Sequence, residues 1–507
     1  MFYTLDWIII GFYCIGIISL ATYVSRKKAG SERSAEDYFL AGRSLPWWAI
    51  GASLIAANIS AEQIIGMSGQ GFVVGMAIAV WELTAAIALI VMAKFFLPLF
   101  LEKKIYTMPQ FLEQRFDKRV SLVLSFFWLT VYIFVNLTAV LWLGSLAINT
   151  LTGMSLVNGM ILLAFLSLAY SLSGGLKAVA MTDIVQVVLL IFGGLAVSYI
   201  ALTKIGDGSI TTGMVQVYQQ MPEKFDMILS PDNPSYNNLP GIWILIGAGV
   251  WIGHFAYWGF NQYITQRALG AKSLKEAQKG VMFAAYLKLL MPLVIVLPGI
   301  CAAILFPVLD KTDQAYPTMM IELLPSGLLG LTFAALIAAI VSSLASMTNS
   351  ISTIFTMDIC RSFSKDEIQQ SSLILIGRSA VVGSMLIALV MAKPILGNSD
   401  QIFQYIQNFT GLFTPGILVI FLVAAILSVV MSIFIQASFP DFPYIHRMGV
   451  VFFASGMGCY LTSLAQGYLD QEKAIDLNGI NFKTSKAFNV NSLIIVSILT
   501  LIYVTLG

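Results

Sequence analysis

Long apolar runs separated by short polar segments dominate the chain, and they predict helices that cross a membrane. A spanning helix needs about 20 consecutive, mostly apolar residues. The qualifying runs are 3–25, 46–67, 71–99, 119–148, 155–173, 179–203, 241–266, 280–306, 325–357, 372–394, 402–424, 445–463 and 489–506. A further uncharged stretch, 416–439, is long for one span and short for two. The pattern therefore predicts an all-α polytopic membrane protein with 13–14 transmembrane helices.

The first apolar run could be mistaken for a signal peptide. It lacks a basic segment before it, it contains Asp6, and it is long for the apolar part of a leader. We therefore expect the run 3–25 to be retained as the first helix.

Positively charged residues fall in alternate loops, which predicts the orientation of the chain. Lys and Arg are enriched in cytoplasmic loops. If the N-terminus lies outside, the inside loops carry Arg26, Lys27, Lys28, Arg33, Arg43, Lys103, Lys104, Arg115, Lys118, Arg119, Lys177, Arg267, Lys272, Lys275, Lys279, Arg361, Lys365 and Arg378. The outside loops then carry Lys204, Lys224, Lys311 and Lys393. We predict an outside N-terminus, and an outside C-terminus with fourteen helices or an inside one with thirteen.

Composition supports a single membrane domain over residues 1–507. The chain is 58% hydrophobic and 11% charged, with a mean hydropathy of +0.85, whereas soluble domains carry about 25% charged residues. A chain so poor in charge faces lipid over most of its area. The four cysteines are scattered singly, without metal or disulfide spacing. We expect a lipid bilayer around the protein and no nucleic-acid partner; the oligomeric state stays open.

Two helices contain polar or glycine-rich interruptions. The first is Ala56–Gln63 in the second run, and the other is Gly247–Gly259 in the seventh. Counted from the second helix, these segments open successive groups of five helices. Matching broken helices in two halves point to a binding site near the middle of the membrane. The alternative is close packing of glycine and alanine between helices.

Three ionisable residues lie within apolar runs, where charge is costly and usually functional. They are Glu82, Asp183 and Lys288. Glu82 and Lys288 could form a purely structural ion pair, or a pair that also binds the hydroxyl groups of a solute.

A serine-rich run, 338–346, lies in the ninth helix. Ser342 and Ser346 stand four residues apart, and so share one face. Their hydroxyls could bond to their own helix. Alternatively, they could join the exposed carbonyls of a broken helix to hold Na⁺.

Several functional classes lack their sequence signatures. The chain has no G-x-x-x-x-G-K-[ST] nucleotide-binding motif and no T-V-G-Y-G channel filter. Clustered His or carboxylate motifs typical of a membrane enzyme are also missing from the sequence. We therefore expect a coupled transporter rather than an enzyme, with a passive channel as the alternative.

Five segments resemble the sodium:solute symporter family. They are DYFLAGRSLPWWAIGASLIAANISAEQIIGMSG (37–69), YTMPQFLEQRF (106–116), SGGLKAVAMTDIVQ (173–186), YWGFNQYITQR (257–267) and AALIAAIVSSLASMTNSISTIFTMDI (334–359). The sequence is most similar to the bacterial sodium/galactose branch, from the first helix to about residue 420. The resemblance implies two inverted five-helix repeats, a LeuT-like core, at 46–203 and 241–424. Residues 1–45 and 425–507 would flank them.

The resemblance also implies a sodium site. Its ligands would be the carbonyls of Ala56, Ile59 and Ala339 and the hydroxyls of Ser342 and Ser343. Asp183 and Ser346 match part of a second sodium site of some relatives, but Ala345 replaces a hydroxyl there. Asp183 could instead serve the ion's exit path.

For the solute, the resemblance implies binding by Gln63, Trp81, Glu82, His254, Lys288 and Gln407, an inner gate of Met67 and Tyr257, and an outer gate of Phe403. Ala85, His254 and Trp81 depart from the galactose branch, which has serine, asparagine and tyrosine there.

The implied function is symport of Na⁺ with a sugar or polyol into the cell by alternating access, across a bacterial inner membrane. Sialic acid, an amino acid or a carboxylate would be alternative solutes. The three gate residues could instead be ordinary core packing.

Overall fold

The computed structural model describes residues 2–25, 34–364, 368–397, 399, 401–422, 427–465, 477 and 479–507. Its regular elements there are helices, as the apolar pattern predicts. Nine of these helices are long and apolar enough to cross a bilayer alone, and one bent pair makes a tenth span. The remaining spans are shorter, broken or more polar helices.

Seven numbered helices lie in the described first half of the chain, besides short ones such as Met108–Arg115. They are α1 (Thr4–Ser25), α2 (Trp47–Asn58), α3 (Glu62–Val73), α4 (Met76–Glu102), α5 (Lys118–Thr152), α6 (Leu156–Ala169) and α7 (Gly175–Ile205). A polar segment containing the helix Ile210–Gln220 follows.

Nine more numbered helices lie in the described second half, besides short ones such as Ala315–Leu323. They are α8 (Gly249–His254, continued by Phe255–Gly259), α9 (Gln262–Leu269), α10 (Leu274–Leu305), α11 (Leu328–Phe363), α12 (Gln370–Leu396), α13 (Ile402–Leu422), α14 (Leu427–Ser438), α15 (Tyr444–Ala465) and α16 (Lys486–Leu506). The ambiguous stretch 416–439 therefore contains the end of α13 and the short α14. The repeat boundaries 46–203 and 241–424 stay predictions.

The first predicted interruption is a real break. α2 and α3 meet at an angle of 61°, and Ile59 between them has an extended backbone (φ −80°, ψ 97°). In a continuous helix the Ser60 N–H would donate to the Ala56 carbonyl. It donates instead to Gln63 Oε1, at 3.1 Å. The break therefore frees main-chain carbonyls at the end of α2.

The second predicted interruption is displaced from its expected position. Residues 249–259 are helical, and the breaks lie on either side of them, at Gly247–Ala248 and at Phe260–Asn261. Ala248 has a left-handed backbone (φ 65°). At the other break the Tyr132 hydroxyl donates to Asn261 Oδ1 (2.7 Å) and accepts from the Gln262 N–H (3.0 Å). A side chain from α5 thus satisfies polar groups that the broken helix leaves unpaired.

Glycines after the first break let α3 approach its neighbours closely. A Cβ added at Gly66 would lie 2.8 Å from Phe403 Cβ, and one at Gly71 would lie 2.7 Å from the Val296 carbonyl. The packing alternative is therefore correct for these glycines, while the polar residues before them form the break itself.

Contacts between loops agree with the predicted sidedness. Arg43 donates to the carbonyls of Lys104 (3.2 Å) and Leu269 (3.4 Å), which joins three loops predicted to lie inside. On the opposite side, Lys224 donates to the carbonyls of Phe72 (3.0 Å) and Val73, at the end of α3. Burial at that contact lowers the pKa of Lys224 below its usual value.

The end of α16 lies on the same side as the 204–240 loop. The Met227 N–H donates to the Leu506 carbonyl at 2.8 Å. α14 has 12 residues, about 18 Å of helix, which is less than the roughly 30 Å hydrocarbon core. Even so, Leu506 occupies the side expected for fourteen crossings rather than thirteen.

The first helix attaches to α11. The Asp6 carboxylate is buried and accepts from the backbone N–H groups of Gly327 (2.7 Å) and Gly330 (2.8 Å). Ser326 donates to the same carboxylate at 3.2 Å. An anion at a helix N-terminus satisfies free N–H groups and opposes the helix dipole. Asp6 therefore fixes α1 to the start of the serine-bearing helix.

Candidate functional site

A cavity of about 130 Å³ lies among α3, α4, α5, α8, α10 and α13. All nine residues predicted to bind solute or gate its access line it, namely Gln63, Met67, Trp81, Glu82, His254, Tyr257, Lys288, Phe403 and Gln407. Ala85 is buried nearby but is not part of the lining. The structure thus brings together side chains from both halves of the chain.

A buried ion pair forms one wall of the cavity. Lys288 Nζ lies 2.6 Å from Glu82 Oε2, and their side chains are 1% and 3% exposed. Lys288 also lies over the Trp258 ring, 5.2 Å from its centroid. The pairing of Glu82 with Lys288 is confirmed. Because both residues line the cavity, their polar groups are available to a solute as well as to each other.

Asn58 connects this wall to the break between α2 and α3. Its Oδ1 accepts from Lys288 Nζ, and its Nδ2 donates to the Tyr257 hydroxyl at 3.0 Å. Asn58 is the last residue of α2, next to Ile59 and two residues after Ala56. It therefore joins the cavity directly to the carbonyls predicted to bind sodium.

His254 projects from α8 toward α4. Its Nε2 lies 2.7 Å from Thr84 Oγ1, and its ring contacts Trp81 edge to face, with centroids 5.6 Å apart. The imidazole is 4% exposed and lines the cavity.

The predicted gate residues are part of the cavity lining. Tyr257 bonds to Asn58 and to the Tyr263 hydroxyl, at 2.6 Å. Met67 and Phe403 are buried, with 1% and 4% exposure. The gating assignment stays a prediction, because large side chains such as these also suit ordinary packing in a helix bundle.

Two of the predicted sodium ligands, the Ser343 hydroxyl and the Ala56 carbonyl, meet where α11 crosses the break. Ser343 Oγ donates to the carbonyls of Ala56 and Ala57, each at 3.3 Å. Ser342 Oγ donates to Asp183 Oδ1 on α7. Both hydroxyls donate to groups on other helices. The alternative, in which the serine hydroxyls bond to their own helix, therefore does not apply to Ser342 and Ser343. Ala339 is buried about one turn earlier on α11.

Asp183 and Ser346 belong to a polar cluster that includes a buried arginine. Asp183 Oδ2 accepts from Ser53 Oγ at 2.5 Å. Arg267 donates to Ser53 Oγ (3.3 Å), to the Tyr263 carbonyl (2.6 Å) and to Ser346 Oγ. Counting Arg267 among the loop charges was wrong, since the side chain is 0% exposed and lies between helices. Its guanidinium donates to Ser346 Oγ, the hydroxyl that was expected to bind a second sodium ion.

Sequence reasoning missed Asn58, Thr84 and Arg267 as parts of the site. Asn58 lay within the predicted break, so its amide was a detectable signal. Thr84 carried no signal, because its contact with His254 joins residues 170 positions apart. Arg267 stands at the end of a predicted span that is expected to face the cytoplasm, where arginine is ordinarily a loop charge.

Known proteins similar to this chain agree with the geometry. The profile of the sodium:solute symporter family matches residues 38–432. A sodium/glucose cotransporter of Vibrio parahaemolyticus is 45% identical over 533 aligned positions, covering 98% of this chain and 97% of that protein. The human sodium/myo-inositol cotransporter 2 is 30% identical over 77% of this chain, which spans 61% of that longer relative.

A solved structure shares the fold. A Na⁺-coupled sialic acid symporter, in a substrate-bound outward-open state, superposes with a TM-score of 0.78 over 91% of this chain and 98% of its own, at 22% identity. This agreement confirms the LeuT-like architecture of two inverted repeats with flanking helices. With its broken helices, its cavity lined by both polar and aromatic side chains and a family match over most of its length, the chain belongs to the sodium:solute symporter family, a family of multi-pass membrane transporters.

Proposed function

We propose that the protein carries a sugar or polyol into the cell together with Na⁺, by alternating access. The proposal rests on one observation: Asn58 connects the cavity that holds Glu82 and Lys288 to the α2–α3 break. The relatives named above transport glucose and myo-inositol with sodium, and long amide and charged side chains suit solutes whose hydroxyls both donate and accept.

The sodium ion would bind at the break. The carbonyls of Ala56, Ile59 and Ala339 and the hydroxyls of Ser342 and Ser343 form a hard oxygen set that suits Na⁺. Ser343 already joins α11 to the Ala56 carbonyl. An ion at this place would hold the two helices together and orient the polar residues that follow the break, including Gln63.

Solute binding would draw on Gln63, Trp81, Glu82, His254, Lys288 and Gln407. Met67 and Tyr257 would close the inner path and Phe403 the outer one. When sodium leaves toward a low-sodium cytoplasm, Asn58 transmits the change at the break to Lys288 and Tyr257. Coupling of this kind is typically worth 1–3 kcal/mol.

We expect one sodium ion per cycle. A second ion would need Asp183 and Ser346, yet Arg267 places a positive charge beside them and donates to Ser346. Asp183 would then serve the exit path of the single ion. Initial uptake rates should rise hyperbolically with sodium concentration, and a sigmoidal dependence would contradict the single-ion assignment.

The decisive experiment is solute accumulation in proteoliposomes. With an inward sodium gradient, the purified protein should concentrate at least one of galactose, glucose or myo-inositol; sialic acid and proline complete the panel. Accumulation of sialic acid or proline alone would reject the sugar assignment. Full-rate flux without any cation gradient, and without accumulation, would indicate a channel.

We also propose a bacterial inner-membrane location with the N-terminus and the 204–240 loop outside. A single cysteine at Ser235, in a variant lacking the four native cysteines, should react with an impermeant maleimide in spheroplasts. A cysteine at Lys104 should react only after the membrane is opened. The reverse pattern would invert the orientation.

A further inference from the structure

The Thr84 hydroxyl determines which nitrogen of His254 carries the proton. Thr84 Oγ1 lies 2.5 Å from the Val80 carbonyl of its own helix and 2.7 Å from His254 Nε2. A carbonyl can only accept, so the single hydroxyl hydrogen of Thr84 is directed at Val80. Thr84 therefore accepts from His254, and Nε2 must carry a hydrogen.

The other ring nitrogen of His254 then presents a lone pair. The imidazole is 4% exposed and lines the same cavity as the Lys288 ammonium, and burying a further, unpaired positive charge there would be costly. A neutral imidazole has a single N–H, which in His254 is the Nε2–H that donates to Thr84. With the residues that the structure describes, His254 makes no second hydrogen bond, so Nδ1 is free to accept.

We propose that Thr84 is a positioning residue that fixes His254 as a hydrogen-bond acceptor, so that this position selects a solute carrying a donor group. The inference rests on the proposed function, and it narrows the substrate class. An amide could rotate to offer either a donor or an acceptor. Fixed by Thr84, His254 offers an acceptor alone. A free hydroxyl satisfies it, whereas an ether, a keto group or a fluorine cannot.

The tautomer can be measured without any transport. The chain contains two histidines, His254 and His446, so protein labelled with ¹⁵N-histidine and carrying His446→Gln has one imidazole to observe. Protonated and unprotonated ring nitrogens resonate far apart. Protonated Nε2 with unprotonated Nδ1 is the expected result. A protonated Nδ1 would overturn the proposal, whatever solute the protein carries.

Substitutions at Thr84 test the cause of this tautomer. Thr84→Val keeps the shape of the side chain but removes the acceptor, so the spectrum should show a mixture of the two tautomers. Thr84→Ser keeps the hydroxyl and should restore the single tautomer. An unchanged spectrum in Thr84→Val would show that Thr84 does not set the tautomer and would overturn the proposal.

Solute analogues test the consequence for selectivity. Once the best solute is known, its monodeoxy and monodeoxyfluoro derivatives should compete for uptake. At one hydroxyl position, both replacements should weaken competition roughly five- to tenfold, the effect of one neutral hydrogen bond, because fluorine cannot donate. Thr84→Val should reduce that penalty while leaving the sodium concentration for half-maximal uptake unchanged.

Two outcomes of the analogue series would refute the donor requirement. One is full retention of affinity by the fluoro derivatives at every position, and the other is an identical penalty in Thr84→Val and the unmodified protein. If no sugar or polyol is transported at all, the proposed function fails, while the NMR result still reports the hydrogen bond itself.

Discussion

Replacing Asn58 with Ala should weaken the thermodynamic link between sodium and solute. The side chain accepts from the Lys288 ammonium on the cavity side and donates to Tyr257, while its own backbone lies beside Ile59 at the break. Alanine removes both bonds and leaves the backbone of α2 helical. The cavity and the predicted ion ligands then lose the side chain that connects them.

The size of the effect follows from the bond to the ammonium. A buried hydrogen bond to a charged group contributes about 1.5–3 kcal/mol, and a neutral one about 0.5–1.5 kcal/mol. Coupling free energies between two ligands are typically 1–3 kcal/mol. If the bond to Lys288 forms fully only when the break is ordered, its loss removes most of the coupling. The ratio of solute dissociation constants without and with sodium should then fall by about tenfold.

Solute binding to the purified protein in nanodiscs, measured by calorimetry in sodium and in choline buffer, gives this ratio directly. Thr410→Val is the matched control, because Thr410 also lines the cavity but lies on α13, and its hydroxyl donates within its own helix, to the Ile406 carbonyl at 2.8 Å. Whatever this control does to the two dissociation constants, it should leave their ratio intact. An unchanged ratio in Asn58→Ala would refute the role of Asn58 in coupling.

Three further predictions concern single side chains. Ser343→Ala should raise the sodium concentration for half-maximal uptake by about tenfold, which corresponds to roughly 1.4 kcal/mol. The control Thr348→Ala should leave that concentration unchanged, because the Thr348 hydroxyl bonds to its own helix. Equal effects of the two variants would show that Ser343 is not part of the ion site. Lys288→Ala should weaken solute binding more than sodium binding in the same calorimetric assay, and an unaltered solute affinity would move the solute site elsewhere. Lys224→Met should lower stability by about 1 kcal/mol, since a cation at a helix C-terminus contributes about that much. The apparent melting temperature should fall relative to the control Lys483→Met, whose lysine is exposed and outside any helix; equal melting temperatures would contradict the contribution of Lys224.

The spans and the first break could be predicted because both depend on local sequence. Each span reflects a long apolar run, and the break reflects polar residues such as Asn58 and Ser60 inside one. The second break was displaced because the run of small residues at 247–259 does not itself determine the backbone. The left-handed Ala248 and the Tyr132 hydroxyl fix that geometry, and Tyr132 lies far away in sequence.

The candidate site was predictable where a residue is unusual for a membrane. Glu82 and Lys288 were recognisable as site residues because charged side chains are rare within membrane spans. Opposite charges buried in this way are expected to pair with each other. By contrast, Thr84 is an ordinary helix residue until α8 brings His254 beside it. Arg267 looked like a loop charge because its burial depends on Ser53 and Ser346 from two other helices. These features arise from tertiary packing.

The attachment of Asp6 to α11 has a practical consequence for recombinant production. If the first 25 residues were exchanged for a secretion leader, the N–H groups of Gly327 and Gly330 would lose their acceptor. Each buried donor left unpaired costs about 1–3 kcal/mol, at the start of the helix that carries Ser343. A purification tag should therefore precede an intact first helix, and a truncated version that expresses well could still be a poor sodium binder.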